Sequence, residues 1–316
     1  MINGSFLKKY KGSHIVVKKL LTAVLFLAFI TLAACGSSDD EAASSEGGDS
    51  GESSGGLLAE LQEAGTVTVG FANEKPYAYQ EDGELKGAAV DIAQAVFAEL
   101  GIDDMESQLS DFGQLIPGLK AGKFDVITAG MAINPDRCEN AAFGEPEMKY
   151  GEGLIVQKGN PLGLESYKDI ADNPDVTVSV MAGATENEFL KTEGVDPSQI
   201  QSAPDIPATF SAVESGRADA TTGTEMTIKM ALESAGSDQL EFVESFEQPD
   251  VEGVPSYGAA AFHLDNDDLR EAYNEKLAEL KEDGTVAELL EKNGFSEEMN
   301  MVESDITAEM VCNGEV

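Results

Sequence analysis

The fold class is decided by residues 112–130, which read FGQLIPGLKAGKFDVITAG. Apolar residues at helical spacing (Leu115, Ile116 and Leu119) are followed by a glycine, a basic residue and a β-branched run. This order predicts a short helix that leads into a buried strand. Residues 207–220, PATFSAVESGRADA, repeat the same order of events. We therefore expect two similar units in two different lobes.

Outward from these stretches, the chain continues to alternate between short strands and helices. Strands are predicted at 67–71, 151–156 and 176–181, and amphipathic helices at 90–100 and 269–280. Strands that alternate with helices indicate an α/β protein whose sheets are covered on both faces.

The N-terminal region carries an export signal. A lysine-rich start precedes a short apolar run that closes with Leu-Ala-Ala-Cys at residues 32–35, as in secretory signals. The order resembles a bacterial lipoprotein signal, which implies that residues 1–34 are removed and that Cys35 carries lipid. A transmembrane anchor with an incidental cysteine is the alternative. Residues 36–56 contain only Gly, Ser, Ala, Asp, Glu, so residues 35–56 are predicted to be a lipidated, disordered acidic linker.

Charge and cysteine content exclude some partners and cofactors. The chain has 20 basic against 59 acidic residues and a net charge of −39, which excludes nucleic acid as a partner. If Cys35 carries lipid, Cys138 and Cys312 remain, and an exported protein would pair them as a disulfide. Two cysteines and two separated histidines do not form a zinc ligand set, so we expect no metal and no cofactor.

Three motifs carry a family resemblance. Residues 70–77 (GFANEKPY), 124–131 (FDVITAGM) and 135–139 (PDRCE) resemble the extracellular solute-binding proteins (family 3) of polar amino-acid ABC importers. Within that family, residues 73–77, 137–139 and 148–152 are most similar to the ectoine- and hydroxyectoine-binding branch.

This resemblance implies a two-lobe, type II periplasmic-binding-protein fold, with two crossover hinge strands and a ligand cleft between the lobes. Lobe one would comprise residues 57–153 and 257–316, and lobe two residues 154–256. It implies a monomer outside the cytoplasm, anchored to the membrane by lipid, that is not an enzyme. Its partners would be a small zwitterionic ligand and a membrane ABC permease.

The resemblance also implies the ligand contacts. Arg137 would hold the ligand carboxylate through two parallel donors, together with the start of a helix at Ala184 and Thr185. The alternatives are a surface arginine that pairs with Glu139 and a plain helix cap. Glu74 would meet the ligand cation.

Ring faces and hydroxyl groups would complete the site. Tyr77 and Phe112 would supply the rings, although core packing explains such rings equally well. Amino-acid binders of the family commonly place an Asp where this chain has Thr224, so a ring amidinium or a methylated amine is favoured over a primary ammonium. Thr222 and Thr224 would offer hydrogen bonds. Ala132 stands where the ectoine branch often has an aromatic residue. Its small side chain weakens the expected cage of rings around the ligand cation.

Three other functions stay open on the same fold. The first is a binder of a polar α-amino acid, the second is an enzyme similar to cyclohexadienyl dehydratase, and the third is a sensory or adhesive lipoprotein. Fold alone does not separate them, because function depends on the site.

Overall fold

The structure is a computed structural model that describes residues 56–316. The predicted signal peptide, the predicted lipidation of Cys35 and nearly all of the predicted linker lie outside the described residues. None of the helices in the described part is long and apolar enough to cross a membrane.

Strands and helices alternate along the described chain, as the sequence predicts. The strands are, in chain order, β1 (Thr66–Phe71), β2 (Tyr79–Glu81), β3 (Glu84–Lys86), β4 (Asp104–Leu109), β5 (Val126–Ala132), β6 (Ala142–Phe143), β7 (Met148–Tyr150), β8 (Glu152–Gln157), β9 (Val178–Met181), β10 (Ile200–Ala203), β11 (Ala220–Thr224), β12 (Leu240–Phe242) and β13 (Ser256–Phe262). The α-helices are α1 (Leu57–Ala64), α2 (Ala88–Glu99), α3 (Leu115–Lys120), α4 (Pro135–Cys138), α5 (Tyr167–Asp172), α6 (Glu186–Thr192), α7 (Ile206–Glu214), α8 (Glu225–Ala235), α9 (Asp267–Glu282), α10 (Thr285–Lys292), α11 (Glu297–Asn300) and α12 (Ala308–Cys312).

Two separate sheets define the two lobes. The first has the strand order β4-β1-β5-β13-β6, with β7 also paired to β13, and the second has the order β10-β9-β11-β8-β12. In each sheet the parallel strands are joined by strands of opposite direction, because β13 runs antiparallel to β5 and β8 runs antiparallel to β11. This arrangement confirms the predicted α/β, two-lobe fold.

The chain crosses from lobe one to lobe two at Gly151, between β7 and β8, and returns through residues 243–255. The predicted boundaries need a small correction, since Glu152 already belongs to the second sheet and Ser256 to the first. Gln248, on the returning segment, accepts from the Glu152 N–H at 2.7 Å and donates to the Glu152 carbonyl at 2.8 Å. A Cβ at Gly151 would lie 2.6 Å from the Gln248 side-chain oxygen, so a larger residue there would displace this amide from its two bonds to Glu152.

Each lobe has its own apolar core on both faces of its sheet. In lobe one, α2, α9 and α10 cover one face with Ile92, Val96 and Leu277 fully buried, while α3 and α12 cover the other. In lobe two, helices similarly bury Val178 and Phe210 on opposite sides of the sheet. Burying one large aliphatic side chain contributes about 1.5–3 kcal/mol, so each lobe is stabilised by its own core. The residues that line the cleft can therefore differ in composition from the apolar cores.

The predicted disulfide is present. Cys138 and Cys312 are joined with an S–S distance of 2.02 Å. Because Cys138 ends α4 and Cys312 ends α12, the bond fixes the C-terminal tail beside the short helix that carries Arg137.

Candidate functional site

The chemically active side chains meet where the strands of the two sheets end. The carboxyl ends of β1 and β5 lead into the segments around Glu74 and Arg137, and those of β9 and β11 lead into α6 and α8. Crevices outside the carboxyl ends of strands in α/β sheets are the usual place for ligands. The two lobes therefore face each other across a cleft that both of them line.

Arg137 crosses this cleft. Its position is set by Asn134, whose side chain caps α4 by accepting from the Arg137 N–H at 2.8 Å. The guanidinium donates from Nη1 to the Ala132 carbonyl at 2.7 Å and from Nη2 to the Gly183 carbonyl, in lobe two, at 2.9 Å. It also lies 5.4 Å from the centre of the Phe112 ring. The side chain is thus in the cleft, and no ion pair with Glu139 is found among the described residues.

Glu74 lines the same pocket as Arg137, in a turn closed by a bridge to Ala78. It is 9% exposed, and its Oε1 accepts from Thr227 of lobe two at 2.8 Å. Burial raises the pKa of Glu74 to about 7, and the nearby Glu186 carboxyl adds to the rise, whereas the Thr227 bond and Arg137 oppose it. Glu74 therefore stays partly protonated near neutral pH unless a positive charge approaches it.

Hydroxyl groups connect the two lobes in a chain. The Tyr77 hydroxyl donates to Thr224 at 3.1 Å, Thr224 bonds Thr227 at 2.9 Å, and Thr227 reaches Glu74. Tyr77 and Glu74 belong to lobe one, and the two threonines to lobe two. Thr224 therefore lies in the pocket, and it presents no charge there.

The rings form one wall of the pocket. Tyr77 packs edge-on against Tyr150 with ring centres 5.2 Å apart, and the Tyr150 hydroxyl donates to the Gly130 carbonyl at 2.7 Å. A Cβ at Gly130 would lie 2.5 Å from the Tyr77 ring, and its φ is +57°, so glycine is needed for the ring to lie there. Phe112 is half-buried at the rim.

The remaining predicted residues divide between the pocket and the lobe-two interior. Ala132, Ala184 and Thr185 line the pocket, the last two at the start of α6. Thr222 does not line it. Its hydroxyl donates to the Gly153 carbonyl at 2.7 Å and pairs with the Tyr167 hydroxyl at 2.6 Å, so the prediction that Thr222 contacts ligand is wrong. Its side chain is fully occupied inside lobe two.

The sequence prediction missed three ionisable residues at or beside the pocket. Tyr150 and Glu186 line it, and Glu152 lies next to Glu186. Burial raises the pKa of both glutamates. The charge and contact of Glu186 raise the pKa of Glu152 further, whereas the contact with Glu152 lowers the pKa of Glu186. A sequence signal existed for two of them, since Tyr150 and Glu152 fall in the motif 148–152. Glu186 looked like an ordinary acid in the first turn of a helix.

The pocket between these groups is almost closed. The cavity has a volume of about 30 Å³, which is room for about two water molecules. On the α12 side of Arg137 lies a wider groove of about 600 Å³, which shares Ala132, Ala184 and Thr185 with the pocket. Entry of a ligand larger than water therefore requires the lobes to separate.

Fold and site together define a two-lobe binding protein with one cation and several acids in a buried cleft. The bacterial extracellular solute-binding proteins, family 3, match residues 67–296. The chain belongs to this family.

Individual relatives agree with this assignment. The chain is 36% identical, over 81% of its length and 86% of the relative's, to a probable amino-acid ABC transporter periplasmic-binding protein of Sinorhizobium fredii. It is 26% identical, over 75% and 85%, to the L-cystine-binding protein TcyJ of Escherichia coli. Among solved structures, EhuB in complex with hydroxyectoine is similar with a TM-score of 0.74 and 36% identity, over 81% of this chain and 97% of that one. The ancestral amino-acid-binding protein AncCDT-1, a precursor of cyclohexadienyl dehydratase, has a TM-score of 0.65 and 29% identity, over 75% and 98%.

Proposed function

We propose that this solute-binding protein captures a compact zwitterion of the ectoine type and delivers it to an ABC permease. The observation that carries the proposal is that Arg137 and Glu74 line the same small, ring-lined pocket, which residues of both lobes form. The similarity to EhuB, which was solved with hydroxyectoine, supports the ligand class.

The carboxylate of the ligand would bind at Arg137. Its guanidinium already donates one N–H to the Ala132 carbonyl of its own lobe and one to the Gly183 carbonyl of the other lobe. A ligand carboxylate offers the same planar fork stronger, charge-assisted acceptors than a carbonyl. The backbone at Thr185 opens α6 beside it and adds an N–H group that favours an anion, whereas the Ala184 N–H donates to the Met181 carbonyl at 3.2 Å.

The cation of the ligand would bind between Glu74 and the rings. A positive charge there lowers the pKa of Glu74 below about 7 and stabilises the carboxylate. Thr224 gives no charge for a primary ammonium, and its hydroxyl is already bonded to Tyr77 and Thr227. A delocalised amidinium needs fewer strong acceptors and is attracted by the face of a ring, so it fits this wall better.

A polar α-amino acid is the second candidate ligand. Two observations favour it: Ala132 contributes no ring to the pocket, and relatives of this chain include a cystine-binding protein. An enzymatic role similar to cyclohexadienyl dehydratase is the third, since Glu74, with a pKa of about 7, has the acidity of a general acid or base. We favour binding without turnover, and product formation from a cyclohexadienyl substrate would overturn that view.

We also propose that Cys35 is the lipidation site and that the protein acts as a monomer tethered to the outer face of the membrane. The tether would be residues 35–56, which would let the two lobes reach a permease. Partition of the full chain into detergent, lost in Cys35→Ser, tests the anchor.

Calorimetry with ectoine, hydroxyectoine, cystine and a panel of amino acids tests the ligand. We expect ectoine or hydroxyectoine to bind and Arg137→Ala to weaken binding by at least about 100-fold, since an unpaired carboxylate would remain in a closed cleft. Arg217→Ala is the matched control, because Arg217 is exposed on lobe two and should leave affinity unchanged. Tight binding of a standard amino acid together with no response to either ectoine would assign the protein to the second candidate ligand.

A further inference from the structure

A pair of glutamates lies behind the pocket at the crossing between the lobes. Glu152 is the first residue of β8, directly after the crossing glycine, and Glu186 is the first residue of α6. Their exposed fractions are 1% and 3%. Glu186 lines the pocket, whereas Glu152 does not line it and contacts Glu186.

Three oxygens of this pair have no hydrogen-bond partner among the described residues. They are both carboxyl oxygens of Glu152 and Oε2 of Glu186. Two ionised carboxylates in contact in a buried site are strongly unfavourable. A protonated carboxyl gains one O–H donor, so a single proton between the two groups turns the unpaired acceptors into a hydrogen bond.

The surroundings decide which glutamate holds the proton. The backbone N–H of Glu186 itself, the charge of Arg137 and the backbone N–H of Thr224 all favour the ionised form of the Glu186 carboxyl. Glu152 has none of these favourable contacts and faces the further negative charge of Glu74. The proton therefore belongs on Glu152.

The other titratable groups that face the pair are two pocket residues, described above, and three uncharged phenols. They are the pocket residues Glu74 and Arg137 and the buried phenols of Tyr77, Tyr150 and Tyr167. Burial raises the pKa of all three phenols well above the ordinary range, so none of them carries charge near neutral pH.

We propose that Glu152 is a protonated positioning residue that donates a hydrogen bond to Glu186 and holds the Glu186 carboxylate at the pocket wall beside Arg137. When Glu152 loses its proton, two negative charges repel each other behind the ligand and the wall is displaced. Ligand affinity then depends on the proton of Glu152, although Glu152 does not contact the ligand.

One consequence of this inference, the pH dependence of ligand affinity, rests on the proposed binding function. Affinity for a zwitterion falls at low pH because Glu74 becomes protonated, and it falls at high pH because Glu152 becomes ionised. Each limb has a slope of at most about tenfold per pH unit for one proton. The profile is therefore bell-shaped, with the two limbs assigned to different residues.

Conservative variants separate the two limbs. We would measure ectoine affinity by calorimetry across about pH 5 to 9 for the wild type, Glu152→Gln and Glu74→Gln. Glutamine at 152 is a permanent donor to Glu186, so Glu152→Gln should keep binding and lose the alkaline limb, whereas Glu74→Gln should lose the acid limb. Glu233→Gln, at an exposed acid on α8, is the control and should follow the wild type. An alkaline limb of unchanged position and slope in Glu152→Gln would overturn the proposal.

A readout without ligand keeps this test independent of the ligand's identity. A carboxyl whose pKa is raised by folding makes the folded state hold more protons, so stability falls as pH rises above the pKa of the unfolded chain. In urea unfolding of the ligand-free protein, Glu152→Gln should flatten that fall by up to about tenfold in the unfolding constant per pH unit. Failure of ectoine to bind would leave this result standing, while identical slopes in variant and wild type would refute the shared proton.

Discussion

Among single residues, Glu147 is the buried acid of lobe one that lies away from the cleft. It is 1% exposed, and its Oε1 accepts from the Tyr273 hydroxyl at 2.6 Å. Lys281 lies nearby, but its ammonium donates to the Pro146 carbonyl. Burial is the main cause that raises the pKa of Glu147 from 4.5 to about 7. Glu147 is therefore a structural acid that favours the protonated form in the folded state.

The pH dependence of stability follows from this shift. The folded state binds more protons than the unfolded state between pH 4.5 and about 7, so this carboxyl lowers stability as pH rises through that interval and has no further effect above it. In Glu147→Gln the contribution disappears. We expect the free energy of unfolding of Glu147→Gln, relative to wild type, to rise by up to about 3 kcal/mol from about pH 4 to about pH 8.

Urea unfolding at a series of pH values measures this difference. Glu279→Gln serves as the control, because Glu279 is exposed on α9, the helix that carries Tyr273, and pairs only with Lys276 among the described residues. A Glu147→Gln curve parallel to that of the wild type would show that Glu147 is ionised when buried.

Burial also explains what residue-level sequence reading misses in the site. Arg137 and Glu74 were predicted because they occur in motifs, and both lie in the pocket. Glu186 was not assigned to the site, although it is almost fully buried. An acid in a first turn looks the same in sequence whether it faces water or a cleft, since its burial depends on residues distant in sequence, such as Arg137 and Thr224.

At the scale of elements, the lobes touch through bare backbone at Gly113 and Gly183. Gly113 lies in the turn before α3, and Gly183 lies between β9 and α6. A Cβ on Gly183 would lie 2.6 Å from the Gly113 Cα, which is closer than atoms can approach. Here the carbonyl of Gly183 also receives the Arg137 bond, so this contact brings lobe two onto the binding arginine.

Gly183→Ala should therefore hinder closure. We expect at least about a tenfold loss of ligand affinity, because closure must then shift one backbone against the other. Gly194→Ala is a matched control. Its φ of +95° is as unfavourable for alanine as the +84° of Gly183, but its Cβ would meet only Ala171, at 3.9 Å. The two variants should lose similar stability, while only Gly183→Ala loses affinity in calorimetry; equal affinity in both would remove the role of the glycine contact.

The positions of the strands were largely predictable from the sequence. Which side of a strand faces the cleft was not. Predicted strands at 67–71, 151–156 and 176–181 correspond to β1, β8 and β9 to within two residues. The buried strand β11 shows why faces fail: four of its five residues are buried, so no alternation indicates which side meets the cleft. The family resemblance placed both Thr222 and Thr224 at the ligand, but the Thr222 hydroxyl pairs with Tyr167, which comes from a helix 55 residues away.

At the scale of the whole molecule, the Cys138–Cys312 bond closes a loop that contains all of lobe two. The two cysteines are separated by 174 residues, and both crossings between the lobes lie inside the loop. The bond holds α12 against α4, where Ala308 and Val311 join the core under α3. A cross-link over so long a loop limits the unfolded chain more than the folded one.

Removing the cross-link should therefore lower stability far more than affinity. We expect Cys138→Ser combined with Cys312→Ser to lose about 3–5 kcal/mol in the free energy of unfolding, because the unfolded chain regains loop entropy. Ligand affinity should change by less than about tenfold, since Arg137 keeps the Asn134 cap and its bond to Ala132. Urea unfolding without reductant gives the first quantity and calorimetry the second, with reduced wild-type protein as the matched control. Stability equal to that of the oxidised wild type would mean that the tail is held by its apolar contacts alone, whereas a collapse of affinity would mean that α4 depends on the tail for its position.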